Sequence, residues 1–261
     1  MQIAQYTKAQ SLTEAWELHQ KRHSVILGGC CWLRLSPQRM IQHAIDLSAL
    51  GLDTIEETDG EFRIGAMTSL RSLEVSAALE CCTDGALKEA LRHIVGVQFR
   101  NMATIGGSIC GRFGFSDVIT LLLALDADVV LYKGGRMKLE AFAATGAGTD
   151  VLTHVILSKA GRGTAYASLR LNATDFPIIA CAVSGSAEAV RCAIGARPSR
   201  AVVLRAVRQD AAAQGPAKMA RQWADAVSYG SNMRGSAEYR RDMAEVLCRR
   251  LLERVMGADV R

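Results

Sequence analysis

Short apolar runs broken by glycine or charged turns fill the first part of the chain, and longer runs at helical spacing fill its end. Leu12, Ala15 and Trp16 share one face of a helix predicted over residues 11–20, which Ser11 and Glu14 open at capping-box spacing. The run at 25–27 reads as a buried strand that stops on Gly28-Gly29, and residues 44–47 read as a second strand. Residues 54–66 alternate around Asp59-Gly60, a hairpin signal, with Phe62 and Ile64 on one face of the return strand. Two helical patterns follow at 69–79 and 85–95. The piece at 103–109 reads as a strand interrupted by Gly106-Gly107, and 118–125 as an apolar helix. Residues 129–132 and 136–139 flank Lys133-Gly134-Gly135 as another hairpin, and 151–157 is a further strand.

The pattern changes at 158–163, a turn rich in glycine and basic residues and the best candidate boundary. Beyond it come strands at 165–171, 178–183 and 189–194, then helices at 200–213, 217–227 and 237–255. This order predicts an α+β chain divided into residues 1–160 and 161–261.

Composition narrows the function classes. Of 261 residues 49% are hydrophobic and 22% charged, as in ordinary globular proteins. The net charge of +5 arises partly in a C-terminal helix where Glu238, Asp242, Glu245 and Glu253 interleave with arginines, the pattern of a solvated face. With 5% aromatic residues this argues against nucleic-acid binding. No apolar run is long enough to span a bilayer, and the N-terminal residues lack signal-peptide character, so a cytoplasmic protein without membrane attachment is expected. Eight cysteines without CxxC spacing are expected to be reduced thiols, with no zinc or iron–sulfur site in this chain. His19 and His23 stand four apart, but no third ligand accompanies them.

Chemistry centres on the two glycine pairs. Each follows a strand-like run, where glycine's freedom to take positive φ and its lack of a side chain let backbone N–H groups converge on a pyrophosphate. The usual nucleotide motifs are missing: there is no GxGxxG, and Gly106 to Gly111 has the spacing of a P-loop but is followed by Arg112-Phe113. Neither GxSxG nor HExxH occurs.

The surroundings of the second pair are more specific. The string VQFRNMATIGGSI from Val97 to Ile109, then Ser116-Asp117, then LLALDA from Leu122 to Ala127, resembles the FAD-binding medium subunit of molybdenum hydroxylases, the xanthine dehydrogenase and carbon monoxide dehydrogenase flavoprotein family. Leu27-Gly28-Gly29, Ile45 to Ser48, Ile64 to Thr68, Asp175-Phe176-Pro177 and Arg234 to Arg240 are similar to further family phrases, so the resemblance spans nearly the whole chain. It implies a two-part FAD-binding domain of the vanillyl-alcohol-oxidase/MurB-like (PCMH) type, followed by a small α+β domain of the CO dehydrogenase flavoprotein C-terminal type. Carried over by position, Leu27, Gly28, Gly29, Cys30 and Cys31 form a first pyrophosphate loop. Thr104, Ile105, Gly106, Gly107 and Ser108 form a second. Asp117 binds the ribose or adenosine side, and Leu152 and Tyr166 fall beside the isoalloxazine ring.

The resemblance implies one noncovalent FAD, no catalytic residue, and electrons passing from iron–sulfur clusters through FAD to NAD+ or another acceptor. Molybdopterin and 2Fe-2S centres belong to partner subunits. Two departures stand out: Cys30-Cys31-Trp32 where the first loop usually carries a threonine, and Phe113-Gly114-Phe115 where a proline is usual. The competing readings are a self-sufficient MurB-like flavin oxidoreductase and a partner-binding protein that has lost FAD.

Overall fold

The computed structural model describes residues 2–35, 40–159 and 163–257. Contacts group the chain into two compact units. One comprises Met1–Ser72, Val97–Gly111 and Ala127–Lys159; the other comprises Leu73–Gly96, Arg112–Asp126 and Ala160–Arg261. The 158–163 turn read from the sequence coincides with the last of these changes, and its residues 160–162 lie outside the described residues. Packing also assigns two earlier segments to the second unit, which chain order alone does not reveal.

The first unit holds two sheets. Strands β1 (Gln2–Lys8), β2 (Ser24–Leu27) and β3 (Met40–Asp46) make a parallel sheet in the order β1-β3-β2. Helix α1 (Leu12–His19) lies between β1 and β2 in sequence, with Ser11 accepting from the Glu14 N–H as its cap. Ala15 of that helix packs with Ile45, Leu47 and Leu52 in a small core. Strands β4 (Ile55–Glu57), β5 (Glu61–Gly65), β6 (Asp128–Leu131), β7 (Gly135–Lys138) and β8 (Leu152–Ser158) form an antiparallel sheet ordered β4-β5-β8-β6-β7. Both hairpins expected from their turn residues are present.

The second unit is built on an antiparallel sheet ordered β12-β11-β10-β9, from β9 (Gly163–Leu169), β10 (Ile179–Gly185), β11 (Ala189–Gly195) and β12 (Val202–Val207). Every residue of β10 is buried because both faces of the sheet are covered. Ile179, Cys181 and Val183 join the core formed with α10 (Pro216–Asp225) and α11 (Ala237–Gly257). The alternate residue Ser184 donates to the Ala124 carbonyl of α7 (Asp117–Ala124). Helix α7 packs on β10 and β11, and α4 (Ala86–Leu91) packs on β9, which is why segments 73–96 and 112–126 belong here.

Two sequence expectations change, and one strand is added. Residues 103–109 are not a strand: Ile105–Cys110 form a short helix, α6. The helix expected over 200–213 is strand β12 followed by a helix at Arg208–Gln214, because the run Val202-Val203-Leu204 pairs with β11. Strand β1 was not anticipated; its mostly polar residues gain their conformation from parallel pairing with β3.

Candidate functional site

Strand β2 ends at Leu27, paired with Asp46, and the chain then turns through Gly28, Gly29, Cys30 and Cys31. Among the described residues no protein acceptor takes the backbone N–H of Gly28, Gly29 or Cys30, while the Cys31 N–H meets its own thiol. Buried unpaired N–H groups are costly, and these are half-buried, so a consecutive row of them is a ready anion cradle. The thiols do not compete for that role. Cys30 Sγ donates to the Gly28 carbonyl and Cys31 Sγ to the Gly29 carbonyl, each at 3.4 Å. Burial, and then the neighbouring Cys31 and Asp46, push the Cys30 thiol up. Burial also raises Cys31 against the opposing pull of Arg34. Both thiols therefore stay protonated at neutral pH.

The second glycine pair sits beside the first. An added Cβ on Gly28 would approach Gly107 Cα at 3.4 Å and Thr104 Oγ1 at 2.8 Å. One on Gly29 would fall 1.8 Å from the Met102 carbonyl oxygen, so that glycine exists because two backbones nearly touch. Gly106 is equally confined, 2.6 Å from the Ala66 carbonyl oxygen. At Gly107 the nearest atoms are Thr104 Oγ1 at 3.1 Å and the Gly29 nitrogen at 4.0 Å, leaving open space above that free N–H.

Two corrections follow. None of the four glycines takes a positive φ; the loop's left-handed residue is Cys30, at φ 57. Nor does the second pair offer converging donors. Ile105 N–H donates to Thr68 O, Gly106 N–H to Ala66 O, Gly107 N–H to Thr104 Oγ1 and Ser108 N–H to Thr104 O. The Ser108 hydroxyl also donates to Thr104 O, and the Ile105 side chain is in the core. This loop supplies shape and the first supplies hydrogen bonds.

Leu152 opens β8 and is buried. Asp117 and Tyr166 belong to the second unit, where they meet each other. The Tyr166 hydroxyl donates to Asp117 Oδ1, and Arg170 Nη2 donates to the same oxygen at 2.5 Å. Arg170 in turn reaches Ser168 Oγ and the Asp175 carbonyl. Burial raises the Asp117 carboxyl despite Arg170 and Tyr166, and burial together with Asp117 pushes the Tyr166 phenol well up. Arg170 was missed in the sequence; its signal is a lone cation between Leu169 and Leu171, just past the end of β9.

The first loop fits a pyrophosphate: consecutive donors with no protein acceptor among the described residues, bordered by a glycine whose missing side chain keeps the space open. No group of three metal-ligating side chains occurs among the described residues, none of the eight cysteines forms a disulfide, and no described helix is long and apolar enough to cross a membrane.

Comparison with known proteins identifies the ligand class. The family model described as the FAD binding domain in molybdopterin dehydrogenase matches residues 2–159. The chain is 27% identical over 277 residues to the nicotine 6-hydroxylase medium subunit of Paenarthrobacter nicotinovorans, covering 95% of each. It is 29% identical over 249 residues to the protein YgfM of Escherichia coli, covering 94% of this chain and 93% of that one. In fold it matches a chain of the reconstituted CO dehydrogenase of Oligotropha carboxidovorans with a TM-score of 0.85 at 22% identity, covering 98% of each. A chain of quinoline 2-oxidoreductase from Pseudomonas putida 86 matches with a TM-score of 0.83 at 18% identity, covering 99% of this chain and 98% of that one. The chain belongs to the family of FAD-binding oxidoreductase subunits of molybdenum hydroxylases.

Proposed function

We propose that this chain is the electron-transferring flavoprotein of a multi-subunit molybdenum hydroxylase. In this reading it receives electrons from a 2Fe-2S subunit that is itself reduced by a molybdopterin-binding subunit. The observation that carries the proposal is the row of N–H groups from Gly28 to Cys30 that no described protein acceptor takes, beside the open face of Gly107. These residues would hold the FAD pyrophosphate noncovalently, with Leu27 and the 104–108 segment shaping the loop. The ribose role of Asp117 and the ring-side roles of Leu152 and Tyr166 are proposed from the resemblance. The bound flavin supplies the redox chemistry, and the protein positions it and excludes competing reactions. NAD+ or a comparable carrier is the proposed acceptor, and the free thiols suit a reducing, cytoplasmic setting.

The medium-subunit relative supports assembly with partners. The test is coexpression with candidate 2Fe-2S and molybdopterin subunits, followed by metal analysis and a visible spectrum. A yellow chain that releases its flavin on acid precipitation, and hydroxylates substrate only in the complex, supports the proposal. Substrate-dependent dye reduction by the isolated chain, free of molybdenum and iron, would establish the self-sufficient flavoenzyme instead. A colourless chain that cannot be reconstituted with FAD would establish the partner-binding reading.

A further inference from the structure

Three cysteines meet inside the second unit. Cys181 comes from β10, Cys192 from β11 and Cys248 from α11, so residues as far as 67 positions apart reach one spot of its core. The Cys192 and Cys248 sulfurs lie 3.5 Å apart and the Cys248 and Cys181 sulfurs 3.8 Å apart, with Cys248 touching both. All three side chains are fully buried, in the apolar core that also holds Ile179, Val183, Ile194, Ala244 and Leu252.

A single buried cysteine packs as a small hydrophobe. Two sulfurs already in van der Waals contact are different, because a disulfide needs only about 1.5 Å of further approach to reach its bond length of about 2.05 Å. Hydrogen bonding with Cys181 and Cys192 lowers the Cys248 thiol against the opposing effect of burial. The same contacts, and then burial, push Cys181 and Cys192 well up. Cys248 is therefore the sulfur with thiolate character, which is the nucleophilic form.

We propose that Cys192 and Cys248 form an oxidative modification site, which a hydroperoxide converts to a disulfide tying β11 to α11. The Cys248 sulfur attacks one peroxide oxygen. An S–O bond forms, the O–O bond breaks, and the second oxygen departs and takes up a proton. Cys192 then attacks the Cys248 sulfur, forming the S–S bond and breaking the S–O bond, and its proton leaves with the departing oxygen as water. The two sulfurs together lose two electrons and the peroxide gains them. Hydrogen peroxide is small enough to enter during local opening of a core that excludes bulkier reagents. The bond closes the chain from Cys192 to Cys248 into a loop, which restricts the unfolded state and stabilises the oxidised form.

The test uses the full chain, with accessible cysteines first blocked by iodoacetamide under native conditions. It is then treated with hydrogen peroxide and digested without reduction for mass spectrometry. The expected result is a peptide pair joining Cys192 to Cys248 that dithiothreitol separates, with Tm raised by about 5 °C or more before reduction. Cys248→Ala should abolish the cross-link and Cys81→Ser should keep it. Because the bond is mapped in the parent chain, poor folding of Cys248→Ala leaves the result decisive. Cys192 and Cys248 still alkylated as thiols after peroxide and denaturation overturn the proposal, as does a cross-link that forms only in denaturant or leaves Tm unchanged. The flavin does not enter this readout, so a colourless protein would count against the flavin reading alone.

Discussion

Replacing Gly107 by valine separates binding from folding. Gly107 lies in a helix without positive φ, so valine meets no conformational bar there. Its helix propensity is no worse than that of glycine. The Cβ meets only Thr104 Oγ1, at 3.1 Å, a side-chain atom that can yield by a few tenths of an ångström. Stability should change by less than about 1 kcal/mol, a Tm shift of a few degrees at most. The binding effect is larger. The valine methyls occupy the space over the Gly29 nitrogen, 4.0 Å from the Cβ, and block a donor proposed to face the pyrophosphate. A hydrogen bond to a charged group contributes about 1.5–3 kcal/mol, so losing one weakens FAD by about 10- to 100-fold, and steric exclusion adds to that. The assay is flavin fluorescence quenching on reconstitution of the apoprotein, with Tm followed in parallel. Parent-like FAD affinity in Gly107→Val would refute the reasoning, and so would a collapse in Tm that accounts for the lost flavin.

Gly29→Ala should do the reverse, losing both flavin and fold by about 1–3 kcal/mol or more, because its Cβ would lie 1.8 Å from backbone oxygen; an unchanged urea midpoint would contradict this. Arg170→Gln leaves Asp117 buried without its cation, at a cost of about 3–5 kcal/mol by denaturant titration. Because burial raises the folded-state carboxyl above its unfolded value, its contribution is most favourable below the unfolded pKa and is lost as pH rises through the folded one. The Arg170→Gln defect should therefore ease on mild acidification, and a defect that deepens there counts against the account. Iodoacetamide should label the exposed Cys81 and Cys110 before Cys30 and Cys31, whose raised pKa keeps them as thiols, with their labelling accelerating as pH rises. Mass spectrometry showing Cys30 or Cys31 modified first would exclude that reading.

Elements with local signals were legible in the sequence. Asp59-Gly60 marked one hairpin and Ser11 a helix start, and the two glycine pairs that the sequence singled out lie side by side. What failed depended on distant partners. Two glycines argue against a helix at 105–110, and the helix forms because Thr104 caps it while Ala66 and Thr68 carbonyls accept its first N–H groups. Strand β12 exists because β11 pairs with it. The division of labour between the loops was also hidden, since it lies in which backbone donors already have acceptors, a property no side-chain pattern records. Asp117 was singled out by sequence, but Arg170, fifty-three positions away, was not.

The polypeptide passes between its two compact units at five places, after Ser72, Gly96, Gly111, Asp126 and Lys159. A gene fragment ending at codon 159 would encode the whole flavin-family match yet strand α4 and α7, whose apolar faces are buried on β9, β10 and β11. The complementary fragment would present that sheet with one face bare, since Ser184 and its neighbours would lose their helical cover. Neither piece is a transplantable module. Recombination that exchanges flavin subunits between related enzymes must therefore move this chain as one block, and random truncation libraries should yield soluble flavoprotein only from near full-length clones.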